Sequence, residues 1–117
     1  MPRTMAVDEL ASLLSVLAHG DRIRIVEALR PSEKDVNQLA TELELAQARV
    51  SQHLALLKSH RLVQKRREGR HAYYSLVDAK VALWLVQGLD FIEAEIRQNQ
   101  DLHDEVEILR TKWGGYD

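Results

Sequence analysis

A cluster of polar and basic side chains in the middle of the chain has the chemistry needed to read double-stranded DNA. The guanidinium of Arg49 matches the O6 and N7 acceptors of guanine, and the amide of Gln52 can pair with adenine. Because they lie three residues apart, a helix brings both side chains to one face. Small and polar neighbours let the backbone approach the duplex closely, and the predicted contact set is Gln47, Ala48, Arg49, Ser51 and Gln52.

A group of four cations follows closely, around the glycine of a predicted hairpin turn. Long cationic side chains at such a turn can straddle the phosphate backbone or enter the minor groove. An ordinary exposed hairpin carries lysine at its edge against aggregation, but four cations beside the single acid Glu68 exceed that need. The predicted phosphate contacts are Lys65, Arg66, Arg67 and Arg70.

A structural interpretation of these side chains stays open, because amides and charges often form only a solvated surface. His53 lies about 60° from the centre of the apolar face of its helix by helical geometry. We therefore predict a packing or hydrogen-bonding role for His53, in preference to base reading. His19 and His71 are predicted to be surface or interface residues.

The charge is distributed unevenly along the 117 residues, although the formal net charge is only −2. Residues 46–75 contain seven basic side chains and one acidic one, whereas acids outnumber bases in the rest of the chain. A basic segment inside an acidic chain is typical of a phosphate-binding face. The length indicates one domain, residues 1–117.

The composition also excludes several kinds of site and disfavours some protein classes. The absence of cysteine excludes disulfides and thiolate metal sites. No apolar run reaches the roughly 20 residues needed to span a bilayer. No secretory signal is evident, so no membrane partner and a cytoplasmic location are expected. The GxSxG, HExxH, GxGxxG and P-loop motifs are absent, so the chain is not predicted to be an enzyme.

The hydrophobic periodicity predicts a mainly α fold with a small β-hairpin. Asp21 can cap the second helix, which runs to about Leu29, and Asp35 with Gln38 resembles a capping box for the third, which runs through Leu43. The apolar pattern weakens near residues 98–100 but resumes, which favours one long last helix. The other predicted elements are a first helix at about 5–18, a fourth helix at 46–59, strands at 62–67 and 71–76, and the last helix at 78–112.

Three segments together resemble the ArsR/SmtB family of bacterial transcriptional regulators. LAHGDRIRIVEAL is similar to the family's second-helix signature, QLATELELAQARVSQHLALLKSHRLV to its helix-turn-helix, and KRREGRHAYYSL to its wing. The resemblance implies a winged helix-turn-helix. Gly20 replaces a frequent proline, Glu44 a turn glycine and Ala46 a capping serine; a positive φ at Glu44 would cost about 1 kcal/mol.

The resemblance also identifies two metal sites that many members carry, and neither is preserved. Asp35 and Asn37 stand where the third-helix thiolates would be. The positions that match the second site, on the last helix, are Asp78, Lys80, Phe91 and Ala94, of which only the first is a ligand type.

The sequence offers a divalent transition metal one other group of candidate ligands. His103, Asp104 and Glu107 lie within about one helical turn and offer imidazole and carboxylate ligands. Exposed acidic helix ends are usually only solvated, so the metal ligands and any cofactor stay unassigned at this point.

The predicted function is sequence-specific DNA binding by a homodimeric regulator, in accord with the resemblance. The helices at 5–18 and 78–112 carry more apolar surface than one small domain can cover, and pairing them about a two-fold axis would match a pseudo-palindromic operator. We expect a repressor released by an unidentified effector. The alternatives are an activator, a nickel-, zinc- or cobalt-responsive regulator with a non-classical His/carboxylate site, and a winged-helix protein-interaction adaptor.

Overall fold

The structure, a computed structural model, describes residues 3–96 and 100–114. The chain divides into two units, Met1–Asp78 and Ala79–Asp117. The first unit holds α1 Arg3–Leu17, α2 Gly20–Leu29, α3 Val36–Leu43, α4 Gln47–Ser59, β1 Val63–Glu68 and β2 His71–Leu76. The second holds α5 Lys80–Ile96 and α6 Gln100–Lys112. This is the predicted mainly helical winged helix-turn-helix with a β-hairpin.

The helix starts follow local capping chemistry. The capping box is confirmed, since Asp35 Oδ1 accepts from the Gln38 backbone N–H at 2.8 Å and Gln38 Oε1 accepts from the Asp35 N–H at 2.9 Å. The predicted cap of α2 is wrong: His19 is the N-cap, and its Nδ1 accepts from the Asp21 N–H at 3.1 Å. Asp21 lies in the first turn instead, where its carboxylate interacts favourably with the positive end of the helix dipole.

The connection between α3 and α4 contains both departures from the family pattern. Glu44 adopts the left-handed conformation, with φ 56° and ψ 46°. Ala46 caps α4 without a side-chain hydrogen bond, since its methyl group cannot accept one. The turn therefore has a left-handed residue and a helix N-cap without the glycine and the serine that favour these conformations.

The wing, β1 and β2 with their connecting turn, is an antiparallel hairpin that runs in register from the pair Val63↔Leu76 to the pair Glu68↔His71. Its loop is two residues long, Gly69 and Arg70, one residue shorter than predicted because Glu68 is still paired. Gly69 has φ 63°, which suits the first loop position of a type II′ turn.

The core of the first unit lies between α2, α3 and α4. Ile25, Leu39, Val50, Leu54 and Leu57 are each completely buried. Three of them, Val50, Leu54 and Leu57, recur every three or four residues, a spacing that places them on one face of α4. The opposite face of α4 is thereby directed to solvent.

The predicted single last helix at 78–112 is wrong, because α5 and α6 are separate helices that contact each other. Arg110 of α6 binds Asp90 and Glu93 of α5, and Val106 is 5% exposed. Because α6 folds back on α5, these charges pair and Val106 is buried, whereas one straight helix would leave Val106 exposed to solvent. Residues 97–99, where the apolar pattern weakens, lie outside the described residues. Among the described helices, none is both long and apolar enough to span a membrane.

Candidate nucleic-acid interface

The outer face of α4 presents the predicted base-reading residues. The side chains of this group are all exposed, while the inner face anchors the helix in the core. A helix held from behind and polar in front has the form that the major groove admits. The exposed members are Gln47, Ala48, Arg49, Ser51 and Gln52. Their DNA contacts remain a prediction.

Arg49 forms an ion pair with Asp21, in the first turn of α2. Its Nη1 lies 3.6 Å from Asp21 Oδ2, and its side chain is 62% exposed, so the guanidinium still faces solvent. The Asp21 carboxylate is shared, because Arg24 Nη1 lies 3.7 Å from its other oxygen. Asp21 therefore orients the cation among the predicted base-reading residues while neutralising part of its charge.

His53 lies behind this face, as the helical geometry predicts. Its side chain is 12% exposed, Nε2 lies 3.6 Å from Asp21 Oδ2, and Nδ1 lies 3.3 Å from Arg22 Nη1. Because Arg22 can only donate, Nδ1 accepts and Nε2 carries the proton directed at Asp21. Burial lowers the pKa of His53, and the neighbouring His19 and Arg22 lower it further.

The four predicted phosphate-binding cations of the wing differ in their surroundings, although all are exposed. Lys65 Nζ lies 5.8 Å from the Tyr74 ring centroid. Within residues 3–96 and 100–114, Arg67 and Arg70 form no ion pair. Their charges are therefore available to phosphate.

Arg66, by contrast, is engaged by carboxylates on two sides. Its Nη2 and Nε donate to Glu33 at 2.6 and 3.2 Å, and its Nη1 donates to Glu68 at 2.8 Å. Its guanidinium also lies over the Tyr73 ring, with Cζ 5.0 Å from the centroid. The hydrogen bond from Arg66 lowers the pKa of Glu33.

In the part of the chain that the structure describes, histidine and carboxylate side chains form two groups, and within each group the ligand atoms lie within 4.8 Å of one another. The first, His19, Asp21 and His53, was not predicted, because Asp21 meets His53 only when α2 packs on α4. It does not fit a cation: His53 Nδ1 accepts from Arg22, which leaves the proton on the Nε2 atom that would have to ligate. Arg24 and Arg49 add positive charge beside the same carboxylate.

The second group shares two residues with the predicted metal candidates. His103 and Glu107 are joined by Glu93 of α5, whereas Asp104 lies outside the group and accepts from Gln100 at 2.8 Å. His103 Nδ1 is 3.8 Å from Glu93 Oε1. Sequence reasoning missed Glu93 because it treated 78–112 as one helix, on which residues 93 and 103 are far apart.

Arg110 already binds this second group. It forms ion pairs with Glu93 and Glu107, and its hydrogen bond lowers the pKa of Glu93. A divalent ion would have to displace this guanidinium. The donor set itself, an imidazole with two carboxylates, suits a borderline transition metal.

The two metal sites of the wider family do not fit this chain. Asp35 uses its carboxylate as a helix cap, and Asn37 beside it offers only a weak amide ligand. At the second site Lys80 brings a positive charge and Phe91 has no ligand atom. Ala94, whose side chain the structure does not describe, has none either.

Comparisons with known proteins identify relatives on both sequence and structure. Residues 19–65 match the family described as bacterial regulatory protein, arsR family. The chain is 40% identical over 83 residues to a transcriptional repressor SmtB homologue from Synechocystis, an alignment that covers 68% of this chain and 63% of that protein. Over 69 residues it is 38% identical to the transcriptional activator HlyU from Vibrio cholerae. The chain spans less than two thirds of the length of these curated relatives.

Solved structures extend the match over more of the fold. Reduced HlyU from Vibrio cholerae is 30% identical, with a TM-score of 0.63 over 82% of this chain and 94% of that one. A homodimeric winged helix-turn-helix DNA-binding domain from Mycobacterium bovis is 33% identical, with a TM-score of 0.69 over 80% and 88%. The chain belongs to the arsR family of bacterial regulatory proteins.

Proposed function

We propose that this protein is a sequence-specific DNA-binding transcriptional regulator. The observation that carries the proposal is the joint exposure, within one unit, of the polar face of α4 and the cations of the wing. In the proposed complex the α4 side chains Gln47, Ala48, Arg49, Ser51 and Gln52 face base edges in the major groove. Lys65, Arg67 and Arg70 bind the flanking phosphates, and Arg66 belongs to the same basic surface.

The salt dependence of DNA binding tests the proposal. Each phosphate contact releases counterions, so the logarithm of affinity falls with the logarithm of salt by about 0.9 per contact. Three phosphate contacts from each of two protomers predict a slope of about −5 when fluorescence anisotropy is measured on a selected operator, and binding to a scrambled duplex should be weaker. Equal affinity for both duplexes and a flat salt response would favour the protein-interaction adaptor.

We propose that the protein acts as a homodimer on a pseudo-palindromic operator. Large apolar side chains are exposed on α1, namely Met5, Val7, Leu10 and Leu14, and on α5, namely Trp84, Phe91 and Ile92. Exposed apolar surface of this extent favours association. The Mycobacterium bovis relative, itself a homodimer, supports the same arrangement.

Sedimentation velocity tests the dimer. Leu10→Glu places a charge on the exposed apolar face of α1 and should shift the protein from dimer to monomer. Asp8→Asn, on the same helix, is the control and should leave the dimer intact. A wild-type protein that remains a monomer at high micromolar concentration would contradict the proposal.

Repression is the proposed direction of regulation, by occlusion of a promoter that overlaps the operator. Relatives carry both repressor and activator names, so transcription in vitro decides between the two. Transcript levels should fall as the wild-type protein saturates the operator. A rise would establish an activator with the same DNA-binding surface.

A second candidate is metal-responsive regulation, in which an ion at Glu93, His103 and Glu107 weakens DNA binding. The observation that favours it is the approach of three ligand atoms from two helices to within 4.8 Å. Calorimetric titration with nickel, zinc and cobalt should show heat that His103→Ala removes. The control Asp104→Asn should not change the heat, because Asp104 lies outside the group. Binding that survives His103→Ala would refute this site.

A further inference from the structure

The wing is attached to the α2–α3 connection through its second strand. Lys34 and Tyr74 form an isolated antiparallel bridge, in which the Lys34 N–H donates to Tyr74 O at 3.0 Å and the Tyr74 N–H donates to Lys34 O at 2.8 Å. Lys34 is itself held, because its Nζ donates to Ala28 O at 2.6 Å and pairs with Glu42 at 3.1 Å. The connection thus acts as a short third strand beside β2.

Arg66 reinforces this attachment from the first strand of the wing. The residue before Lys34 is Glu33, whose carboxylate receives two N–H groups of Arg66 in a bidentate arrangement. Arg66 is paired across the hairpin with Tyr73, over whose ring its guanidinium lies. Glu33, Arg66 and Glu68 therefore form a bracket, here called the wing bracket, between the wing and the α2–α3 connection.

The wing bracket uses features of arginine that a phosphate contact does not require. A phosphate can be bound by any cation of sufficient reach, whereas two carboxylates and an aromatic face require a planar fork. All three guanidinium nitrogens of Arg66 already donate to carboxylates. Three of its five N–H donors are thereby used, and the two carboxylates outweigh its single positive charge, so Arg66 attracts phosphate less than Arg67 and Arg70, which form no ion pair within the described residues.

We infer that Arg66 is a positioning residue, which together with Glu33 sets the orientation of the wing, and that Lys65, Arg67 and Arg70 bind the phosphates. This inference rests on the proposed DNA-binding function and divides the labour within its basic surface. Glu33, an acid on the DNA-binding unit, then contributes to affinity although its charge repels DNA. The two assignments of Arg66 predict opposite signs for the removal of Glu33.

The binding experiment compares five variants by anisotropy on one operator. Glu33→Gln and Arg66→Gln should each weaken binding by roughly three- to tenfold, and the double variant should be no weaker than either. Arg66→Lys should resemble Arg66→Gln, since lysine keeps the charge but lacks the fork. Glu44→Gln, which removes an exposed acid outside the wing bracket, is the charge control and should leave affinity unchanged or raise it slightly.

A measurement without DNA separates this inference from the proposed function. Amide hydrogen exchange at Lys34 and Tyr74 should accelerate in Glu33→Gln, Arg66→Gln and Arg66→Lys, but not in Glu44→Gln. If the wild-type protein bound no DNA, the proposed function would fail while this exchange test still applied. Tighter DNA binding by Glu33→Gln, wild-type behaviour of Arg66→Lys, or unchanged exchange in all three variants overturns the inference.

Discussion

The reading helix α4 and the wing present the same kind of polar surface by opposite structural means. Three side chains of α4 are completely buried, and its exposed face carries a single arginine near its start, Arg49. In β1 only Val63 is buried, and the strand and its turn carry four cations. One element is anchored by apolar packing and the other is held largely by backbone bonds and ion pairs.

This difference agrees with the division of tasks that we propose for the two elements. Discrimination among bases depends on geometry fixed to fractions of an ångström, which an element packed into the core provides. Phosphate attraction acts over longer distances and tolerates motion. The packed helix is therefore suited to specificity, and the cationic wing to affinity.

Removal of a buried side chain of α4 should have the largest effect on the free energy of unfolding. Leu54→Ala deletes a completely buried side chain of α4 and should lower the free energy of unfolding by about 2–5 kcal/mol. Gln64→Ala on exposed β1 should change it by no more than about 0.5 kcal/mol. Urea unfolding followed by circular dichroism measures both. Similar losses in the two variants would mean that the wing is packed as firmly as the helix.

Exchange of the reading side chains should separate specificity from affinity. Gln52→Ala should cost about 1–3 kcal/mol on the preferred operator and little on a scrambled duplex, because it removes a base contact. Arg67→Gln should weaken both duplexes alike and reduce the salt slope by about 2, because the homodimer loses one phosphate contact in each protomer. Competition anisotropy at several salt concentrations measures these effects. The same pattern from both variants would contradict the division of tasks.

The turns of the two elements offer a smaller test. Both contain a left-handed residue, but the wing uses Gly69 at φ 63° while the helix-turn-helix uses Glu44 at φ 56°. Glu44→Gly should therefore raise the free energy of unfolding by up to about 1 kcal/mol, and Gly69→Ala should lower it by about 1 kcal/mol. Glu44→Ala keeps the Cβ atom and serves as the control, with no gain expected. A loss of stability in Glu44→Gly would show that the glutamate side chain, and not its backbone, matters there.

We expect His53, which lies behind the exposed face of α4, to make the stability of the protein depend on pH. The pKa of His53 in the folded protein is lowered from its ordinary value of 6.5, so the unfolded chain binds the proton more readily. The contribution of neutral His53 to the free energy of unfolding should therefore be fully present above pH 6.5, and it should decrease as the pH falls below that value. The decrease should be smaller in His53→Gln, measured by urea unfolding between pH 5 and 8. The wing histidine variant His71→Gln is the control, and an equal decrease in all three proteins would exclude His53 as the cause.

Local chemistry made several parts of the molecule predictable. The capping box of Asp35 and Gln38 involves residues three apart, and the buried face of α4 follows from helical spacing. The glycine of the wing turn and the basic clusters are likewise visible in the sequence. Each of these depends on neighbours along the chain, so the amino-acid pattern alone determines it.

Only the tertiary structure decided which charged side chains form ion pairs with each other. Arg66 and Arg67 are adjacent arginines with the same intrinsic properties, yet one is held by Glu33, which lies 33 residues earlier. Glu93 joins His103 and Glu107 because α6 folds back on α5, which the apolar pattern through residues 98–100 did not indicate. Sequence determined the winged helix-turn-helix fold and the residue types on its surface. Long-range packing decided their partners, because an ion pair depends on distance in space and not on separation along the chain.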